Sequence, residues 1–403
     1  MALLVATLAG WMTVRETRRW RTTPFGDFNY LQTGAECLMD GCNPYDSAAL
    51  NAEAAARHEA KPNIQPTTPV YPPSTLLLLT PFSRMGWPTA AYVFDGLAGL
   101  ATAVACVLIV WRLRIGVGDA GAVILVAGLV CLPMASALEF GNPVLLAAAF
   151  TAIACLLLLQ REFTSVGWVL LGVSLALKPQ LALGALAVLL WKRETRWAAV
   201  KAGGLAAIVL AAGLVAYRLR LGSVAFLATL ERVLRMSIVP GGSSDFANKD
   251  SFEFLNLQTF FARIANAPRA VVNALAWLTT AGLAAAACWL AIRTGAVRRR
   301  PWTMIALATA VSLLPVYHRG YDRVIAVVLV PAAAEIRSNN KSLAWLYAVV
   351  VTLWIANDTV MSHVFRRWHY IPQNGMEDVA FCVVLLVSLW WQRQQHDRTV
   401  ESL

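Results

Sequence analysis

The chain has 403 residues, of which 58% are hydrophobic and only 14% are charged, and its formal net charge is +11. Soluble proteins average about 25% charged residues, so this composition excludes an ordinary soluble enzyme. The apolar residues fall in blocks that suit membrane-spanning helices and do not alternate as the strands of a barrel would. No basic run is interleaved with aromatic residues, which argues against a nucleic-acid-binding groove. We therefore predict an all-α, polytopic membrane protein.

The chain begins with a short apolar block, residues 2–14, which we interpret as a first membrane crossing. It has neither the basic n-region nor the cleavage site of a signal peptide. A polar loop, residues 15–73, follows and is rich in Phe, Tyr, Leu and Cys. Loops longer than about 15 residues are usually functional or disordered, and this composition favours a folded one.

Two cysteines of this loop, Cys37 and Cys42, lie five positions apart. A disulfide is the favoured interpretation if the loop faces an oxidising compartment. Metal binding is less favoured, because no histidine lies near them at zinc-site spacing.

A short apolar segment, residues 74–82, is predicted to lie in or along the membrane interface. Together with the first block, the later apolar blocks predict about twelve crossings. These blocks are residues 87–111, 120–138, 143–159, 164–177, 181–191, 197–217, 269–292, 302–316, 324–334, 343–357 and 379–391. Residues 164–191 leave two alternatives open, because they form either two short crossings or one helix kinked at Pro179.

The distribution of Lys and Arg predicts the orientation. With the N-terminus inside, the short loops rich in Lys and Arg become cytoplasmic, as the positive-inside rule requires. The arginines between residues 15 and 21 are a local exception. The unusual polar segments then gather on the extracytoplasmic side, where we predict the functional site. They are residues 15–73, 139–142, 178–180, 218–268, 318–323 and 358–378.

Several of these segments have both a chemical and a structural interpretation. Asp27 could serve as a general base beside the membrane, or it could cap a helix or pair with an arginine. Lys178 either faces a cavity or extends to the interface, because a lysine at that depth is costly to bury. His318 and Arg319 suit an anion such as phosphate, or they cap helix ends. Residues 248–261 could cover a lipid-linked substrate or lie flat as an interfacial helix.

The order of the short motifs is more informative than any one of them. The chain contains D-F-x-Y at 27–30, N-P-Y-D at 43–46, Y-P-P at 71–73, E-F-G-N-P at 139–143, K-P at 178–179, N-L-Q at 256–258 and H-R-x-Y-D at 318–322. This order resembles glycosyltransferase family 87, the bacterial polyprenyl-phosphate-mannose-dependent α-mannosyltransferases of GT-C fold. The resemblance extends from about Asp27 to Pro331. Where family members often show G-Q-x-N, this chain has Gly141-Asn142-Pro143.

The resemblance implies a single GT-C domain over residues 1–403, whose long extracytoplasmic loops, residues 15–73 and 218–268, carry interfacial helices. It implies inverting transfer of a sugar, mannose, from a polyprenyl-phosphate donor to a glycolipid or glycan acceptor. The reaction would take place at the extracytoplasmic face of the inner (plasma) membrane, without cofactor or metal.

Site residues are carried over from the motifs of the family. Asp27 falls on the catalytic base, Lys178 on the lysine of K-P, and His318 on the late histidine. Lys178, His318 and Arg319 are predicted to contact the donor phosphate. The other residues predicted to bind substrate are Tyr30, Tyr71, Asn142, Gln180, Asn256, Gln258, Tyr321 and Asp322. Among them, Asp322 is the rival candidate for the base.

The alternative function is a secondary transporter or a flippase for lipid-linked sugars. Transporters tend to show internal repeats and paired charges near the middle of the bilayer. This chain has no visible repeat, and Asp95 is almost the only such charge besides Lys178. A scaffold of cell-wall assembly would leave the one-sided polar clustering unexplained.

Overall fold

A computed structural model describes residues 1–17, 26–56, 71–221, 257–265, 267–315, 320–364 and 382–390. Over these residues the chain is helical and contains no strand. The helices are α1 Ala2–Thr17, α2 Asp27–Asp40, α3 Ser47–Ala56, α4 Pro73–Leu79, α5 Trp87–Arg112, α6 Ala120–Val130, α7 Leu132–Glu139, α8 Val144–Gln160, α9 Thr164–Leu177, α10 Pro179–Trp191, α11 Arg196–Leu221, α12 Leu257–Ala265, α13 Arg269–Thr294, α14 Ala296–Arg299, α15 Pro301–Leu313, α16 Ala326–Arg337, α17 Lys341–Val364 and α18 382–390. Two 3₁₀ turns, Thr80–Arg84 and Gly320–Ile325, precede α5 and α16.

Several helices have the length and composition of membrane spans. Among the described residues, four are long and apolar enough: α5, the combined α6 and α7, α11 and α13. Shorter apolar helices include α8, α9, α10 and α15. The chain is therefore a helical membrane protein, as predicted. Each predicted apolar block overlaps a helix, but the count of about twelve crossings and the GT-C fold remain predictions.

The contacts of α9 resolve the ambiguity at Pro179. Gly172 of α9 lies against the carbonyl of Ala202, near the start of α11. Ser74 connects the end of α9 to a later part of α11. It binds the Ala176 carbonyl at the end of α9, and it lies against Gly213 of α11. Helices α9 and α11 therefore run in the same direction, and α10 must run back between them. Residues 164–191 form two antiparallel helices rather than one kinked helix.

Helix α10 packs closely on α15. A Cβ atom on Gly184 would lie 2.4 Å from the backbone nitrogen of Thr309, so only glycine allows this approach. Nearer the start of α10, the Ser312 hydroxyl donates to the Gln180 carbonyl at 3.3 Å. Because α10 begins where α15 ends, the two helices are antiparallel.

The bundle has two distinct ends. At the first, which we call the ion-pair end, charged side chains pair within one turn or between neighbouring turns. The pairs are Arg112–Glu162 at 2.6 Å, Lys192–Glu194 at 3.4 Å, and Arg337–Asp119. The opposite end, which we call the α2 end, carries the short helices α2, α3 and α4.

Aromatic packing fixes the start of α2 on the bundle. The Phe28 ring stacks on Phe94 of α5, with centroids 4.6 Å apart, and meets the edge of Phe82 at 5.8 Å. The Phe28 amide donates to the Phe140 carbonyl at 3.0 Å. These contacts hold the first turn of α2 against the turn between α7 and α8.

The end of α2 is closed by the disulfide predicted from the sequence. Cys37 is bonded to Cys42, with Cα atoms 4.8 Å apart. Gly41 between them adopts a left-handed conformation, with φ of 89°, and its amide and that of Cys42 both donate to the Cys37 carbonyl. Glycine reaches this conformation without the steric cost that other residues have.

Candidate active site

Polar side chains from separate segments of the chain meet at the α2 end. Asp27 is the first residue of α2, and Tyr71 lies two residues before α4. Asn142 lies in the turn between α7 and α8, and Lys178 is the single residue between α9 and α10. Asp322 belongs to the 3₁₀ turn before α16. Each comes from a connection between long helices, and together they form one hydrogen-bonded network.

Asn142 is the centre of this network and is fully buried. Its Nδ2 donates to the Tyr71 hydroxyl at 2.6 Å and to Oδ2 of Asp27. Its Oδ1 accepts from Lys178 Nζ at 3.4 Å and from the Val144 amide at 3.0 Å. An amide group has two donor hydrogens and two acceptor lone pairs, and these contacts use all of them. The orientation of the Asn142 side chain is therefore fixed.

Lys178, another member of the network, forms a buried ion pair with Asp322. The exposed fractions of the two side chains are 7% and 1%. Lys178 therefore points into the protein and does not extend to the membrane interface. The pair is costly to break, since removing one partner leaves a buried charge uncompensated.

Asp27 is less deeply buried than its neighbours. Its carboxylate accepts from Asn142 and, at 3.4 Å, from the Tyr71 hydroxyl, both at Oδ2. A carboxylate in the first turn of a helix is favoured by the partial positive charge at the N-terminus. The half-buried position leaves it at the boundary between the network and its surroundings. Asp27 therefore combines a fixed orientation with partial exposure.

The N-P-Y-D motif, residues 43–46, holds Tyr71 in place through hydrogen bonds. The buried Tyr45 hydroxyl donates to the Tyr71 carbonyl at 2.9 Å. Oδ1 of Asn43 accepts from the Tyr45 amide at 3.0 Å and from the Tyr217 hydroxyl at 2.7 Å. These residues of the motif therefore support the position of Tyr71. Tyr217 lies inside the apolar helix α11, where no local pattern marks it as part of this support.

The model of glycosyltransferase family 87 matches residues 70–318 of the chain, which is more than half of its length. The chain belongs to glycosyltransferase family 87. It is therefore an enzyme that transfers a sugar from a donor to an acceptor. No curated protein and no solved structure matches it. Tyr71, Asn142 and Lys178 of this family 87 enzyme lie inside the matched segment, whereas Asp27 and Asp322 lie outside it.

Other predicted site residues of the family 87 enzyme have different surroundings. Tyr30 is half-buried and packs beside Cys37 and Leu50, where α2 meets α3. Gln180 is bound through its backbone carbonyl. Gln258 donates from Nε2 to the Pro315 carbonyl at 3.1 Å, near the end of α15. Their roles in substrate binding remain predictions.

Further predicted residues lie outside the part of the family 87 enzyme that the structure describes. They are His318, Arg319, Asn256 and the side chain of Tyr321. Within the described part of the chain, no three His, Cys, Asp or Glu side chains gather as they would around a metal ion.

Proposed function

We propose that this glycosyltransferase moves mannose from a polyprenyl-phosphate donor to a glycolipid or glycan acceptor, with inversion at the anomeric carbon. The observation that carries the proposal is the network in which Asn142 joins the Asp27 carboxylate to the Lys178 ammonium. A transfer from a lipid phosphate needs a base for the acceptor hydroxyl and a cation for the departing phosphate. Asp27 and Lys178 supply these two groups at one end of the bundle.

In the proposed reaction, Asp27 takes the proton of the acceptor hydroxyl. The hydroxyl oxygen forms a bond to the anomeric carbon while the bond from that carbon to the phosphate oxygen breaks. The phosphate leaves with the electron pair as polyprenyl phosphate. It needs no general acid, because a phosphate, unlike a sugar alkoxide, leaves without being protonated. We propose no cofactor and no metal for this step.

The surroundings of the two carboxylates favour Asp27 over Asp322 as the base. Asp322 is 1% exposed and is paired with the Lys178 ammonium. An acceptor hydroxyl could reach it only by displacing that ion pair. Asp27 is half-buried, and the Asn142 amide and the Tyr71 hydroxyl donate hydrogen bonds to it. We therefore assign proton abstraction to Asp27 and the positioning of Lys178 to Asp322.

We propose that Lys178 contacts the donor phosphate, together with His318 and Arg319 from the later polar turn. An ammonium has three N–H donors and can bind several oxygens at once. Negative charge develops on the phosphate as the sugar leaves, and cationic donors placed there stabilise the transition state. Burial of Lys178 strengthens this effect, because the interaction between charges is less screened away from water.

We place the reaction at the extracytoplasmic face of the inner (plasma) membrane. The short loops at the ion-pair end carry the Lys and Arg typical of cytoplasmic loops. The α2 end contains the Cys37–Cys42 disulfide, a bond that persists in oxidising compartments. Single cysteines introduced near Arg196 and near Asn51 test this placement, because only the second should react with an impermeant reagent applied from outside.

The proposed function is tested by incubating the purified protein with labelled polyprenyl-phosphate mannose and a glycolipid acceptor. Release of polyprenyl phosphate together with labelled acceptor is the expected result. A flippase would move the donor between the leaflets and release no polyprenyl phosphate. Movement of intact donor without release would therefore refute the proposal in favour of the alternative.

A further inference from the structure

The break between α9 and α10, which carries Lys178, is held by two hydroxyl groups of α4. The Ser74 hydroxyl donates to the Ala176 carbonyl at 2.7 Å, and the Thr75 hydroxyl donates to the Leu177 carbonyl at 2.8 Å. Ser74 and Thr75 are 2% and 0% exposed. These are long-range contacts between segments about a hundred positions apart.

The two carbonyls need these hydroxyls because the helix stops there. In a continuous helix the Ala176 and Leu177 carbonyls would accept from the amides four residues later, those of Gln180 and Leu181. The Leu181 amide instead donates to the Lys178 carbonyl at 3.1 Å. The backbone of Lys178 is not helical, with φ of −153° and ψ of 81°. An unsatisfied backbone carbonyl away from water is costly, above all within a membrane.

The same segment of the chain also carries Tyr71. Its hydroxyl lies 3.4 Å from Oδ2 of Asp27, and its carbonyl is held by Tyr45. Gly213 of α11 allows the close approach of this segment, since a Cβ there would lie 2.8 Å from the Pro73 carbonyl. The segment from Tyr71 to Thr75 therefore touches the Asp27 side of the network at one end and the Lys178 side at the other.

We infer that Ser74 and Thr75 are positioning residues for Lys178. By binding the last carbonyls of α9, they hold the helix break in the shape that directs the Lys178 ammonium to Asn142 and Asp322. They touch neither the donor nor the reacting atoms, and they act only through Lys178. This inference rests on the proposed function, in which Lys178 binds the donor phosphate.

The test compares hydroxyl-deleting variants that keep the volume of the side chain. Thr75→Val removes the hydrogen bond to Leu177, and Thr75→Ser restores it. Thr80→Val is the matched control, because the Thr80 hydroxyl makes a similar bond to the Leu77 carbonyl without touching α9. The measurements are the Kd for polyprenyl phosphate, kcat and KM for the donor, and the melting temperature. Ser74→Ala removes the second hydroxyl and serves in the same way should Thr75→Val not fold.

We expect Thr75→Val to weaken polyprenyl phosphate binding about tenfold, the effect of one buried hydrogen bond. Thr75→Ser and Thr80→Val should bind as the wild type does. A double-mutant cycle separates positioning from a general loss of stability. In a Lys178→Met/Asp322→Asn background, which removes both charges of the pair, Thr75→Val should have no further effect on binding.

Equal effects of Thr75→Val in both backgrounds would overturn the inference, because Thr75 would then act without Lys178. Normal binding by Thr75→Val, with weak binding by Lys178→Met/Asp322→Asn, would refute the inference alone. Normal binding by both variants would instead refute the proposed role of Lys178 and the inference with it.

Discussion

The two ends of the helix bundle pair their charges in different ways. At the ion-pair end, Arg112 and Glu162 lie on neighbouring turns and remain 27% and 39% exposed. At the α2 end, Lys178 and Asp322 are 144 positions apart in sequence and almost completely buried. Exposed pairs add little stability, whereas a buried pair is retained at a cost in desolvation. This contrast supports the proposed catalytic role of the buried pair at the α2 end, whereas the exposed pairs at the ion-pair end contribute little to stability.

The largest expected effect distinguishes Asp27 from other carboxylates of its helix. Asp27→Asn keeps the shape and the acceptor oxygen but removes the basicity. We expect turnover to fall by about 10²–10⁴-fold while the Kd for the donor changes little. Release of labelled polyprenyl phosphate and donor binding are the measurements. Asp40→Asn, at the exposed end of the same helix, is the control and should retain activity. If Asp27→Asn is active and Asp322→Asn is not, Asp322 is the base.

The next effect tests the buried pair. Replacing both partners, Lys178→Met/Asp322→Asn, should lower the rate by about 10²–10³-fold, because one cationic contact to the departing phosphate is lost. Lys178→Met alone should also lower the free energy of unfolding by about 3–5 kcal/mol, since the Asp322 charge is left without its partner. Turnover and denaturant unfolding measure the two effects. Near wild-type turnover in the folded double variant would remove Lys178 from the site.

A smaller effect on turnover is expected for Tyr45, which supports Tyr71 at the α2 end. Tyr45→Phe removes the hydroxyl that holds the Tyr71 carbonyl. One such bond contributes about 1 kcal/mol, so we expect kcat to fall about fivefold with little change in donor KM. Tyr347→Phe is the matched control, because the buried Tyr347 hydroxyl makes a similar bond to the backbone carbonyl of Leu329, between α17 and α16. An equal loss of kcat in both variants would show that Tyr45 has no specific role.

The smallest effect belongs to the ion-pair end. Arg112→Ala breaks the pair with Glu162, and we expect a change in stability below about 1 kcal/mol and unchanged turnover. High salt should reduce this small difference in stability further, because it screens the attraction between the exposed charges of Arg112 and Glu162. Thermal unfolding and the release assay provide the comparison with Lys178→Met. A loss of activity comparable to that of Lys178→Met would contradict the division between the two ends.

Local patterns in the sequence predicted the helices and several members of the site. Apolar blocks indicated the membrane helices, and the residues that interrupt them, Asp27, Asn142 and Lys178, belong to the network. The partner of Asp322 was not predictable in this way. The structure pairs it with Lys178 from a distant turn. Such a contact depends on how the helices pack, which no local pattern records.

The same limit explains why Ser74, Thr75 and Tyr217 were not recognised as part of the site's support. A serine or threonine in an apolar helix looks like a minor interruption of the hydrophobic pattern. Its importance here comes from the carbonyls of Ala176 and Leu177, which become available only because α9 ends there. Likewise, the two alternatives for residues 164–191 could be decided only by the direction of α9 relative to α11.

The hydrogen bonds of Asn142 cross the boundary of the segment that the family 87 model matches. Asn142 and Tyr71 lie inside residues 70–318, while the Asp27 carboxylate that they bind lies outside. The matched segment therefore lacks the carboxylate that Asn142 and Tyr71 bind. Among relatives of this chain, we expect a change at position 27 to be accompanied by changes at positions 71 and 142.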